Sequence, residues 1–134
     1  MTTIGERNQE ISEHYMSHYI VGGQGGLITQ AEYKKLLANY EANKGIEDTT
    51  DFKPVVKLFN SWGSQTWLIS EIDHKGIFFG VCDMGQGQPE LGYSHLPQMY
   101  HVLKQKLEKD RWFVASKTVS EYANDARARG YIDA

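Results

Sequence analysis

At 134 residues, with 40% hydrophobic and 23% charged side chains, the chain can bury a core of its own and has the balance of a folded protein. Its formal net charge is −3, with seven Lys/Arg against twelve Asp/Glu in residues 1–100 and seven against five in 101–134. This mild balance excludes both a strongly basic nucleic-acid footprint and mimicry of a duplex, which carries one charge per ~1.7 Å.

The N-terminal stretch IGERNQEISEHYMSHYI places Ile4, Ile11, Tyr15 and Tyr19 at near-helical spacing and predicts an amphipathic helix. GGQGG at 22–26 ends that periodicity. Residues 1–26 therefore read as an N-terminal helical appendage with a glycine-rich hinge, and 27–134 as a single domain. The appendage is expected to pack on that domain or to mediate self-association into a homo-oligomer, because so short an amphipathic helix is marginal alone.

The next helix, expected over 30–44, carries a capping box in Thr29 and Glu32 and a hydrophobic staple in Ile28 and Tyr33. Tyr33, Leu36, Leu37 and Tyr40 form its apolar stripe, and Gly45 offers the left-handed residue at which helices stop. From Pro54 the pattern turns to strands: Val55–Phe59, then Trp67–Ile72, then Ile77–Cys82 returning through a hairpin at His74–Gly76. The last two carry large residues on both faces and belong in the middle of a sheet. ELGYSHL is a short return strand, residues 97–109 a helix, RWFVAS at 111–116 a strand candidate, and 119–129 a final helix with a second capping box, Thr118 and Glu121. The fold class is α+β: an antiparallel sheet of about four to five strands, with helices on one face and the N-terminal helix in addition.

GVCDMGQGQPELGY at 80–93 is the most constrained stretch. Its glycines match neither a P-loop nor a dinucleotide fingerprint, no Lys follows, and both flanks are strands, so no cofactor is expected. A wide turn with glycines in left-handed conformations and Pro89 stiffening its exit explains the composition. A sharper reading lets Asp83 and Glu90 converge with Glu71 or Asp73, to hold a divalent cation or to divide into acid and base. Glu10, His14 and His18 share one helix face as a candidate zinc stripe, whose simpler reading is a solvated surface. Cys82, between large hydrophobes, reads as a buried inert thiol. Trp67 and Tyr93 are candidate binding residues beside the four acids, since Trp and Tyr serve core and interface alike.

PVVKLF, TWLISEID, CDMGQGQPELGY and KTVSEYANDARARG together resemble a family of small proteins borne on plasmids, phages and integrative elements and classed only as a domain of unknown function. The resemblance runs over about residues 27–132, with TWL-x-x-E-x-D and CD-x-G-x-G-x-PELGY as its signature. It carries no catalytic residues across. It implies the setting of a mobile element's accessory gene, among anti-restriction and anti-CRISPR functions. With no complete catalytic motif in the chain, the expectation is a non-enzymatic protein that binds a host or defence protein. The alternative is a small metal-dependent hydrolase or transferase, or a ligand binder, built on Glu71, Asp73, Asp83 and Glu90. A lone cysteine, no apolar run near the ~18 residues of a membrane span and no secretory pattern lead to an expected cytoplasmic location without membrane partners.

Overall fold

A computed structural model describes residues 16–20 and 26–134. The expected N-terminal helix, with Glu10 and His14, lies outside the described residues except for its last few. There Ser17–Tyr19 forms one 3-10 turn. Met16 and Ile20 beside it are buried in the main core. The amides of Leu27 and Ile28 donate to the Tyr19 carbonyl at 2.8 and 3.2 Å, which ties this turn to the chain entering the first long helix.

That helix, α1 (Gln30–Asn43), starts on the expected capping box: the Thr29 hydroxyl accepts from the Glu32 amide and the Glu32 carboxylate from the Thr29 amide. Gly45 follows its end at φ +70°, in the left-handed region. Then come β1 (Val56–Asn60), β2 (Thr66–Ile72), β3 (Ile77–Asp83) and β4 (Glu90–His95), a helix α2 (Leu96–Leu103), a short β5 (Leu107–Lys109) and α3 (Val119–Arg129). The five strands make one sheet in the order β4-β3-β2-β1-β5. Every pairing is antiparallel, so the class is α+β. β2 and β3 lie inside the sheet, as their two-sided hydrophobicity requires.

Two findings differ from the sequence reading of these elements. The helix expected over 97–109 stops at Leu103, where Lys104 takes φ +51° and ψ −122°, and the chain becomes a 3-10 turn and then β5. Leu107 follows Leu103 at helical spacing, yet it reaches the same core from a strand position opposite Asn60. RWFVAS is not a strand. Phe113 and Ala115 do alternate inward, but they pack on the second-face cluster while Trp112 and Val114 stay exposed, so the alternation has no ladder behind it.

The sheet has two covered faces, which corrects the expectation of helices on one. Trp67, Ile69, Val56, Leu58 and Phe78 point to a first face and pack with Tyr33 and Leu36 of α1 and Leu96 at the start of α2. Leu68 and Val81 point the other way and pack with Val119, Tyr122 and Ala123 of α3. The side-chain period of a strand sends neighbours to opposite faces, so apolar runs in β2 and β3 need a helix on each.

One irregularity sets the register. The β2–β3 pairing shifts between Ile69 and Glu71, leaving Ser70 as the extra residue of a bulge. The Ser70 carbonyl, freed from the ladder, accepts a 2.9 Å hydrogen bond from the Asn39 side chain of α1, which explains a buried Asn in an apolar stripe. Without the bulge Glu71 would fall on the first face. With it Ile72 enters the first-face core and Glu71 pairs with Phe79 on the second.

Candidate functional site

The bulge therefore delivers a carboxylate to a cleft of ≈ 600 Å³ on the second face. Its floor is the sheet end carrying Glu71, Asp73, Ile77, Phe79, Leu91 and Tyr93. One wall is the end of α1 with Tyr40, Asn43 and Lys44, and the other is the 49–51 loop with the start of α3. Asn43 braces the corner: its amide donates to Glu71 Oε2 at 2.9 Å and to the Thr50 carbonyl at 3.0 Å, and its oxygen accepts from the Thr50 amide at 2.8 Å. Among the described residues Asn43 occupies one of the two Glu71 oxygens.

Two acids in this cleft are tuned in opposite directions. Burial raises Glu71 above the ordinary glutamate range, and the hydrogen bond from Asn43 offsets only part of that. Asp51 is also pushed up by partial desolvation, but hydrogen bonds from the Ser120 and Thr118 hydroxyls and the Ser120 amide outweigh it and hold its carboxyl below the usual range. Ser120 Oγ and the Ser120 amide both donate to Asp51, so this carboxylate is spent on the first turn of α3. Asp73 closes the β2–β3 hairpin, its Oδ1 accepting from the amides of Lys75 and Ile77 at 2.8 and 2.9 Å. Tyr93 is 76% exposed and rests on Phe79 with ring centroids 5.1 Å apart. The cleft thus joins an aromatic platform to a partly buried carboxylate.

The four acids proposed from sequence do not meet in one site. Glu71 pairs with Phe79 and Asp73 with Ile77, while Asp83 lies at the far end of β3, four and six residues further on, roughly 13 and 20 Å along the strand. Asp83 is buried, accepting from the Gly85 amide at 2.9 Å and, across the chain, from the Ile132 amide at 3.1 Å. Glu90 pairs with Cys82 and so stands on the first face, opposite Asp83. Among the described residues no three His, Cys, Asp or Glu side chains gather as metal ligands. His18 packs edge-on against Tyr19 and Tyr100, at 4.9 and 5.9 Å. The 84–89 connector is a turn, with Gly85 and Gly87 at φ +76° and +79°, while Gly92 is an ordinary β4 residue with open space at its Cβ position. Cys82 is half-buried rather than buried, and this burial pushes its thiol up to about 11.

Trp67 is a core residue, not a surface one. Its edge borders a second groove of ≈ 420 Å³ on the first face, formed with Met84, His95, Met99, Val102 and Leu103. A third depression of ≈ 660 Å³ lies on the second face beside β5, with Lys57, Phe59, Arg111 and Trp112. Trp112 is 90% exposed; Trp62, in the β1–β2 turn, is 80% exposed under the Lys106 ammonium, 5.0 Å from its ring centre. Sequence reasoning missed Asn43, Asp51, Phe79 and Ser120 as cleft residues. Only the capping box at Thr118 hinted that a helix start lay near, and nothing local pairs residue 43 with residue 71.

No helix among the described residues is long and apolar enough to cross a membrane. No curated protein and no solved structure matches the chain. A family model covers residues 27–133, nearly the whole of the described structure. The chain belongs to that family, described as a protein of unknown function (DUF2958).

Proposed function

We propose that this protein acts by binding another protein, as a non-enzymatic accessory of a mobile genetic element, and that its target is a host defence complex such as a restriction or CRISPR effector. The observation that carries the binding reading is the exposure of three large aromatics, Trp62, Tyr93 and Trp112, at 76–90%. Such rings anchor interfaces and gain most when a partner removes them from water. Nucleic acid fits this surface less well. Stacking platforms for single strands sit in basic grooves, whereas here Lys57 pairs with Asp110, Lys109 with Glu32, and Lys106 lies over Trp62. The defence setting rests on the resemblance to mobile-element proteins.

The test is capture from the host cell with tagged protein, run beside a Trp62→Ala/Trp112→Ala variant and Tyr93→Ala. One partner at fixed stoichiometry is expected, lost by at least one of these variants while its melting temperature stays that of the parent. Expression is also expected to raise the survival of an incoming phage or plasmid under restriction or CRISPR immunity. Capture that ignores every surface variant, or no partner and no change in survival, overturns the proposal.

A second reading, chemistry on a small ligand, is favoured by one observation: the partly buried Glu71 carboxylate borders a cleft of ≈ 600 Å³ beside Phe79 and Tyr93, with Asn43 engaging one of its two oxygens. It requires turnover or ligand binding lost in Glu71→Gln at unchanged fold.

A further inference from the structure

β4 is the edge strand nearest both grooves, and among the described residues it is lightly guarded. Natural sheets protect their edges by shortness, charge, proline or a bulge. The opposite edge follows that rule: β5 has three residues, two of them Glu108 and Lys109. β4 has six residues in unbroken register with β3, its one carboxylate, Glu90, at the first position, no lysine, proline or bulge within it, and no described strand beyond it. Its alternate residues look onto two different grooves. Leu91 and Tyr93 border the second-face cleft that holds Glu71 and Asp73. Ser94 borders the first-face groove, whose lining of Trp67, Met99 and Val102 is apolar.

We infer that β4 takes up an extended segment of the partner protein as an added strand, with alternate side chains basic into the Glu71 cleft and apolar into the Val102 groove. This rests on the binding reading above and names its mode. Main-chain hydrogen bonds to the edge supply affinity, and two pockets on opposite faces read every second side chain. A guanidinium suits the second-face cleft: it can lie on the Tyr93–Phe79 platform and donate to the Glu71 oxygen that Asn43 leaves open. A second copy of this chain fits poorly. Its own β4 would carry Glu90 either into the apolar groove or against Glu71 and Asp73, and it brings no cation.

The probe is a nine-residue peptide alternating arginine and valine, titrated into the full chain and followed by amide hydrogen exchange. Added peptide is expected to slow exchange in residues 90–95. Peptide N-methylated at alternate positions, which cannot complete the main-chain ladder, is expected to bind about tenfold more weakly or worse. Glu71→Gln and Val102→Glu, both at partly or well exposed positions, are expected to cost about tenfold each with the melting temperature not lowered. Absence of binding, binding without protection at β4, or indifference to N-methylation overturns strand addition. Protection of β4 in the protein alone, rising with its concentration, assigns the edge to a second copy and overturns it too. If partner capture persists while β4 stays unprotected, only the strand-addition mode fails; if capture also fails, the binding reading falls with it.

Discussion

Gly80 lies in the middle of β3, where a Cβ would come within 1.8 Å of the Leu68 carbonyl oxygen of the neighbouring strand. Only a residue without a side chain fits against that backbone, one pair away from the bulge. Gly80→Ala is therefore expected to destabilise by about 1–3 kcal/mol in urea denaturation, the range of an overpacked core. Gly92→Ala, facing open space on β4, should stay within about 0.5 kcal/mol. Equal effects would show that the close approach is not what requires Gly80. At Glu71 the prediction concerns pH. Burial raises its folded-state pKa, so folding favours the protonated form; this contribution is fully present below the ordinary glutamate value and is lost as pH rises through the raised one. Glu71→Gln keeps an oxygen for Asn43 and removes the buried charge. It should be more stable than the parent near about pH 7, with the difference vanishing toward about pH 3. A gap that widens on acidification contradicts the assignment.

Elements end and begin here on single backbone conformations. α3 closes on Gly130 at φ +87°, the expected left-handed cap. α2 closes instead on Lys104 at φ +51° and ψ −122°, a region that residues with a Cβ rarely occupy. The chain must reverse there to carry β5 from α2 to the edge beside β1, so tertiary pairing holds Lys104 in place. Lys104 is solvent-exposed, and its side chain makes no described hydrogen bond or ion pair. Lys104→Gly should raise the unfolding free energy by about 1 kcal/mol, since relief of strain exceeds the entropy that glycine adds to the unfolded chain. Loss of stability on that substitution would mean the lysine side chain does something the geometry does not display. Thr118→Ala, which breaks the second capping box, should cost about 1 kcal/mol.

At the scale of the whole molecule, two apolar clusters share one sheet. Leu68 and Trp67 are neighbours on β2 yet belong to opposite clusters, so neither core can open without moving the strand that carries the other. Leu68→Ala, a truncation on the α3 side, is expected to cost about 2–5 kcal/mol. It should also lower the transition of Trp67, on the α1 side, by the same amount. Near-ultraviolet dichroism for the tryptophans and far-ultraviolet dichroism for the backbone should report one coincident midpoint. Separate midpoints would show that α3 detaches before the rest. The C-terminal residues join the same unit through Ile132, whose amide donates to Asp83 and whose side chain packs on the second-face cluster.

What the sequence determined by itself is local. Both capping boxes, the left-handed glycines at 45, 76, 85 and 130, the hairpin between β2 and β3 and the α+β class follow from interactions within a few residues, which neighbouring letters encode directly. Membership of a family of unknown function was legible in the sequence as well. What only the tertiary structure decided depends on separations of tens of residues. The end of α2 at Lys104 was one such feature, because Leu107 satisfies a helical spacing and a strand register equally. The division of the helices between two faces was another, since a run of large residues in β2 calls for two cover layers without naming which helix supplies each. The candidate site belongs wholly to this second class. Asn43, Glu71 and Ser120 come together because a one-residue bulge, accommodated by Asn39 from a distant helix, turns Glu71 to the second face. Nothing in the alternation of β2 marks Ser70 as the extra residue; the partner for its freed carbonyl exists only once α1 has packed against the sheet.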